Sequence, residues 1–266
     1  MEGVAGVCAW QQVDARNAHP EYEIYRRYYT QEVKAAVAGA RAGGATDLVV
    51  NDSHGPMRNL ELEEFDAGVR VIFGNRKPFS MVQGADAGFG GAFFVGYHGG
   101  AGDADAVLCH TYTPSVIYEA RLNGTPCSEA TLNAALLGYY GVPLLLVTGD
   151  RTTVDGVRRQ MPWVHGAIVK ESIGNSAADT MLPNAACRLI REVATEAVLD
   201  VSRARLFRME PPVTLDVDFV TAAQAHLVGS VPGFSRTGPR SVRFVHDDFA
   251  VVFKSFVATW RLGGQA

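Results

Sequence analysis

The chain has 266 residues, enough for one large domain or two modest ones, which excludes a small scaffold held by disulfides. Hydrophobic residues make up 47% and charged residues 20%, so the composition predicts a folded chain with a substantial core. The 24 basic and 28 acidic residues give a net charge of −4 without long basic runs, which argues against a nucleic-acid partner.

The predicted elements of the first 207 residues alternate between apolar strands and helical patterns. The strands are predicted at 47–50, 69–73, 92–95, 106–109, 144–147 and 167–169, and the helices at 22–42, 129–140, 153–160 and 183–201. Several strands are apolar without alternation, as expected of strands covered on both faces. This order predicts an α/β fold with a layered, mostly parallel sheet and helices on both faces.

The pattern changes near a double proline at Pro211 and Pro212. An alternating strand follows at 213–219, and then a short helix at 222–228, a strand at 242–245 and a helix at 249–261. We therefore predict two domains, an α/β catalytic domain over 1–207 and a small α+β domain over 208–266.

The compartment is predicted from what the sequence lacks. Its longest apolar stretches, such as 142–148, are far shorter than the roughly 20 residues of a membrane helix. The amino end has no basic residue before Arg16, and the four cysteines form no C-x-x-C pair. These features predict a cytoplasmic protein with reduced thiols and no membrane partner.

Three histidines, His54, His98 and His110, each follow an apolar run and open a polar or glycine-rich loop. One such histidine is usually just a hydrogen-bonded loop residue. Three in equivalent positions favour a shared site, because the carboxyl ends of parallel strands meet at one edge of a sheet. Neutral imidazole is the commonest metal ligand, so the site predicted there is a metal site.

Two acidic residues can complete such a site. Glu129 opens the helix predicted at 129–140, where an acidic residue alternatively serves only to complement the helix dipole. Glu2 is the second candidate, although a solvated terminal residue is its simpler interpretation. Asn51 and Asp52 either hydrogen-bond the ligand imidazoles or shape the turn before His54. Lys77 and Lys170 are expected to be solvated.

Together these segments resemble the zinc-dependent D-aminopeptidase family over essentially the whole chain. The resemblance is carried by Glu2-Gly3-Val4-Ala5-Gly6, Asn51-Asp52-Ser53-His54, Lys77 to Val82, Gly96-Tyr97-His98, His110, Gly124 to Leu132 and Val147-Thr148-Gly149-Asp150. It implies two zinc ions, held by an Asp-x-Glu-Gly motif, two strand-end histidines and a central glutamate, with a further histidine for catalysis.

Carried over, the resemblance makes Glu2, His54, His98 and Glu129 metal ligands and His110 the catalytic residue. It also implies a ring-like homo-oligomer. The aspartate of the motif has no counterpart, because Met1 stands where the residue between the two acids is expected. We therefore expect a weak or absent second metal and a mobile Glu2. We favour a true start that lies upstream over a degenerate family member, because the other ligands are all present.

Three functions follow from these residues. The first is a metal-dependent aminopeptidase that releases an amino-terminal residue, by resemblance a D-residue, from short peptides or amides. The second is a metal-poor protein that binds small peptides without cleaving them. The third is a hydrolase of another amide on the same scaffold.

Overall fold

The computed structural model describes residues 1–15 and 19–266. Helices and strands alternate along most of these residues. The helices are α1 (Pro20–Ala42), α2 (Glu129–Tyr139), α3 (Arg151–Gln160), α4 (Pro183–Leu199), α5 (Ala222–Gly229) and α6 (Phe249–Gly263). The strands are β1 (Leu48–Asn51), β2 (Val69–Ile72), β3 (Ala92–Tyr97), β4 (Ile117–Leu122), β5 (Thr125–Pro126), β6 (Leu144–Asp150), β7 (His165–Gly174), β8 (Ala177–Thr180), β9 (Val213–Phe219), β10 (Phe234–Gly238) and β11 (Ser241–His246). The predicted mixed α/β class is confirmed.

The parallel strands lie in two separate sheets. β1 and β2 form a parallel pair, while β3, β6 and β7 form a parallel set that β8 extends in the antiparallel direction. Every residue of β6 is buried, as the unbroken apolar run predicts for a central strand. Phe94 of β3 belongs to a core cluster that includes residues of α2. Its neighbour Phe93 packs against a different cluster, which includes residues of α1 and α4. Helices therefore cover both faces of this sheet.

The carboxyl-terminal segment forms an antiparallel sheet with the order β10-β11-β9-β4-β5. Two of its strands, β4 and β5, come from the middle of the chain, and β4 pairs with β9. The sheet thus crosses the predicted boundary between residues 207 and 208. That boundary stays a prediction.

The strand predicted at Ala106–Cys109 is wrong, because these residues form turns. Leu108 has a φ of 50°, in the left-handed region, which an extended strand does not accommodate. The run is apolar because Ala106, Val107 and Leu108 are fully buried as a loop. The Leu108 amide donates to the carbonyl of Asn175 instead of to a neighbouring strand.

A cleft of about 570 Å³ separates β1 from β3. Residues of both strands line it, and α1 contributes Tyr29, Val33 and Ala36. Among the described helices, none is both long enough and apolar enough to cross a membrane.

Candidate metal centre

Five side chains singled out in the sequence meet beyond the ends of β1 and β3. His54 comes three residues after β1, and His98 follows β3 directly. His54 Nδ1 lies 3.1 Å from Glu2 Oε2, and His98 Nε2 lies 3.4 Å from Glu129 Oε2. His110 Nε2 lies between the two acids, 3.7 Å from Glu129 Oε1 and 4.0 Å from Glu2 Oε1.

The amino-terminal turn that carries Glu2 is buried, so the expectation of a mobile Glu2 is wrong. Met1 and Glu2 are each only 5% exposed, and the Gly3 amide donates to the carbonyl of Gly96 at 3.0 Å. The turn crosses the end of β3 so closely that a Cβ atom at Gly3 would lie 1.7 Å from the carbonyl oxygen of Tyr97. Only glycine allows this approach, which places the Glu2 carboxylate against the histidines.

Two charged side chains beneath this turn hold its backbone. Lys170 is 2% exposed, and its ammonium donates to three backbone carbonyls of the turn. These acceptors belong to Glu2, Val4 and Val7, at 2.5, 3.1 and 2.6 Å. On the other side, Glu32 Oε1 accepts from the Ala5 amide at 2.8 Å. The expectation that Lys170 is solvated is therefore wrong, because its three donors are used inside the protein.

The second lysine, Lys77, is also buried, at 8% exposure, so its expected solvation is wrong too. Its ammonium donates to the side chain of Asn51 and to the carbonyl of Asp52. The Asp52 carboxylate accepts from the amides of Asn59 and Leu60, at 2.5 and 2.9 Å. Of the two roles open for Asn51 and Asp52, the contacts support shaping the loop that presents His54.

Glu129 is held by the start of α2. The Ser128 hydroxyl accepts from the Thr131 amide at 3.3 Å and caps the helix. Glu129 is the first helical residue, and its Oε1 accepts from the Tyr112 amide at 2.6 Å. The carboxylate is 4% exposed and faces the histidines, so its role goes beyond complementing the helix dipole.

The ring hydrogen bonds leave one nitrogen of each histidine facing the acids. Nδ1 of His98 lies 2.9 Å from the carbonyl of Gly99, and Nδ1 of His110 lies 2.7 Å from that of Leu108. A carbonyl can only accept, so each Nδ1 carries a proton and each Nε2 is the ring nitrogen left to face the acids. In His54 the roles are reversed, because Nε2 donates to the carbonyl of Val13 at 2.7 Å and Nδ1 faces Glu2.

The charges of the site are strongly coupled. Burial alone would raise the pKa of Glu2, but His54 and the α-amino group of Met1 outweigh it and hold that pKa well below its usual value. Burial likewise opposes ionisation of Glu129, yet the neighbouring His98 lowers its pKa. Burial disfavours the charged form of His98, but Glu129 and Glu2 overcome it and raise the pKa to about 9. In His110, burial and the charge of His98 lower the pKa.

The donor set fits a zinc ion. Among the described residues, one group of potential ligand atoms lies mutually within 4.8 Å, and it consists of Glu2, His98 and His110. All three side chains are buried, and two further donors, His54 and Glu129, lie next to them. Imidazole nitrogens and carboxylate oxygens are ordinary zinc ligands. His110, to which the resemblance assigns catalysis, thus lies close enough to Glu2 and His98 to share a metal ion with them.

A cavity of about 480 Å³ opens onto these residues. Sequence reasoning missed two of its lining residues, Trp10 and Tyr112. Trp10 packs edge-on against His110, with ring centroids 5.3 Å apart, and Tyr112 hydrogen-bonds Asn133 through its hydroxyl. The available signals were weak: Trp10 lies in an apolar amino-terminal run, and Tyr112 lies two residues after His110.

Comparison with known proteins agrees with this arrangement. The chain matches the model of peptidase family M55, described as D-aminopeptidase, over residues 1–258. It is 33% identical over 266 residues to a D-aminopeptidase of Bacillus subtilis (strain 168), covering 98% of this chain and 94% of the relative.

A solved structure is similar over the full length. It is described as the Zn-dependent D-aminopeptidase DppA from Bacillus subtilis, a self-compartmentalizing protease. The TM-score is 0.95 at 31% identity, covering 100% of this chain and 96% of the other. The chain belongs to the D-aminopeptidase family, peptidase family M55.

Proposed function

We propose that this protein is a zinc-dependent aminopeptidase that removes an amino-terminal D-residue from short peptides or amides. The observation that carries the proposal is the convergence of two buried carboxylates and three imidazoles on one cavity, each imidazole with a nitrogen toward the acids. Family membership supports it, and so does the Zn-dependent D-aminopeptidase DppA, whose structure is similar.

In this proposal Glu2, His54, His98 and Glu129 hold the metal. Zinc supplies two things when bound, a bound water with a pKa near 7 and polarisation of the substrate carbonyl. The carbonyls that fix the ring protons of His98 and His110 keep the imidazoles oriented for this task. Lys170 keeps Glu2 in place through the backbone of its turn.

We assign the proton transfer to His110. Its Nε2 faces the cavity beside both acids, and burial lowers its pKa below the usual value, which favours the neutral ring near pH 7. A neutral imidazole can accept a proton from the attacking water and return it to the leaving amine. Its ring stacks on His98 with centroids 4.2 Å apart, which keeps Nε2 directed at the site.

We also propose a ring-like homo-oligomer and a cytoplasmic location. The first is supported by the relative described as self-compartmentalizing. The second is supported by the four cysteines, all of which have free thiols in the structure.

The test is hydrolysis of D-alaninamide and L-alaninamide by the metal-free protein and by the same protein with added zinc. We expect zinc-dependent release of ammonia from the D-amide and far slower release from the L-amide. Zinc binding without hydrolysis of any amide would favour the peptide-binding alternative. Hydrolysis of other amides but of neither alaninamide would favour another amidase.

A further inference from the structure

Trp10 stands out among the three tryptophans because its side chain is exposed. It is 42% exposed, whereas Trp163 and Trp260 are partly buried. The exposed indole lines the cavity of about 480 Å³ above the candidate metal centre. A large apolar surface in contact with water inside a cavity favours an apolar ligand group that covers it.

The backbone around Trp10 is fixed. Gln12, 7% exposed, accepts from the amides of Cys8 and Ala9 through Oε1, at 2.7 and 2.9 Å. This closes the 3-10 helix Trp10–Gln12. The carbonyl of the next residue, Val13, binds Nε2 of His54. The indole is therefore tied to the metal centre from two directions, through Val13 and through its own contact with His110.

Small apolar residues line the cavity together with the indole. They are Val13, Ala15, Pro56 and Pro114, and polar residues such as Asp14 and Thr113 lie among them. Glu2 and the three histidines line the same cavity, and His110 is in direct contact with the indole. A substrate whose carbonyl lies at these polar groups therefore has its adjacent side chain within reach of the indole.

We propose that Trp10 forms the wall of the subsite that receives the apolar side chain of the substrate's amino-terminal residue. This inference rests on the proposed function and deepens it by naming the substrate class, residues with a large apolar side chain. Trp10 determines specificity and takes no part in bond making.

The experiment compares Trp10→Ala and Trp10→Phe with the parent, using kcat/KM for D-phenylalaninamide and D-alaninamide. Small changes of apolar contact in a pocket alter kcat/KM by about tenfold or more. We expect Trp10→Ala to lower kcat/KM for D-phenylalaninamide by at least about tenfold relative to D-alaninamide, and Trp10→Phe to retain most of the preference. Equal losses for both amides would mean that Trp10 only supports His110, and would overturn the proposal.

A second experiment tests on which side of the scissile bond the subsite formed by Trp10 lies. The dipeptides D-alanyl-alanine and D-alanyl-phenylalanine share their amino-terminal residue, so Trp10→Ala should change their kcat/KM by equal factors. A selective loss for D-alanyl-phenylalanine would place the wall on the leaving side and overturn the assignment.

A third arm separates this inference from the proposed function. Titration with D-phenylalaninamide should change the tryptophan fluorescence of the zinc-loaded parent and of Trp163→Phe, and should leave that of Trp10→Phe unchanged. If the parent protein cleaves no amide but shows this response, the proposed function is wrong and the Trp10 subsite stands. A response retained in Trp10→Phe, or absent from the parent, would overturn the subsite.

Discussion

His98 and His110 lie side by side, yet the proposal gives them different roles. Replacing His98 by Ala removes a metal ligand that is paired with Glu129, so we expect most of the bound zinc to be lost. Replacing His110 by Ala should lower kcat by about 10²–10⁴-fold while zinc content stays nearly unchanged, since that is the usual contribution of a general acid or base. Metal analysis and kcat of both variants test this.

The contrary result is well defined. Equal zinc loss in the two variants would make His110 a ligand, as its distance to Glu2 and His98 allows. Glu129 and His54 would then share the remaining coordination, and the proton would have to be carried by another group.

Glu32 has a pH dependence that the fold imposes. Its burial raises the pKa to about 7 against 4.5, despite the Ala5 amide and Lys170, which lower it. Between pH 4.5 and pH 7, Glu32 has lost its proton in the unfolded chain but retains it in the folded protein. Glu32 therefore costs stability progressively as pH rises from 4.5 to 7, up to about 3 kcal/mol above that range.

Glu32→Gln should remove this cost. We expect the variant to equal the parent near pH 4 and to be more stable at pH 8, as measured by urea unfolding at both values. The exposed Glu63→Gln is the matched control and should not change the free energy of unfolding at either pH. A pH-independent difference between Glu32→Gln and the parent would contradict the raised pKa.

At the scale of elements, α2 links stability to the metal centre through its first turn. Ser128→Ala removes the cap and should cost about 1 kcal/mol. Thr221→Ala removes the equivalent cap of α5, where the hydroxyl accepts from the Gln224 amide at 3.3 Å, and should cost a similar amount. Only Ser128→Ala should also weaken zinc binding, by about tenfold, because only α2 carries a ligand.

Thermal unfolding and a zinc titration of the two variants provide the comparison. Equal zinc affinity in both variants would show that Glu129 is positioned without its cap, through the Tyr112 amide alone.

At the loop 106–110 the predicted strand is wrong, but His110 lies beside the other histidines as predicted. Its apolar run predicted a strand, and the structure instead buries it as turns. His110 still reaches the site because Nδ1 is bound to the carbonyl of Leu108 and because the ring stacks on His98.

At the scale of the whole molecule, the cleft between β1 and β3 separates the two sheets that contain the parallel strands. Both strands run toward the metal centre, since His54 and His98 follow their carboxyl ends, and the amino-terminal turn lies at the same end beside Gly96. In the described residues neither strand pairs across the cleft. A strand in this position would join the two parallel sheets and satisfy both edges.

We expect an engineered apolar strand of about seven residues, joined before Met1 and ending in Asp, to fill the cleft. Burial of its side chains should raise the free energy of unfolding by at least about 2 kcal/mol. The added carboxylate should strengthen binding of a second zinc ion, because it screens the repulsion between the two dications.

Two controls separate these effects. The same strand ending in Asn should stabilise the fold without strengthening the second zinc site, and a Gly-Ser segment of equal length should do neither. Two tightly bound zinc ions in the 266-residue chain itself would show that the aspartate is dispensable.

The sequence alone predicted most of the elements and the histidines that meet at the candidate metal centre. Strand and helix periods are local, and histidines that follow strands are visible as short motifs, so His54 and His98 could be predicted to lie close together, although their strands belong to two sheets. Only the tertiary structure decided three features: the burial of the two lysines, the wall formed by Trp10, and the buried turn that carries Glu2. Lys170 lies 168 residues from the Glu2 carbonyl that it binds, and no local pattern encodes such a contact. The division of the parallel strands into two sheets likewise depends on which edges meet in space, which strand propensity does not specify.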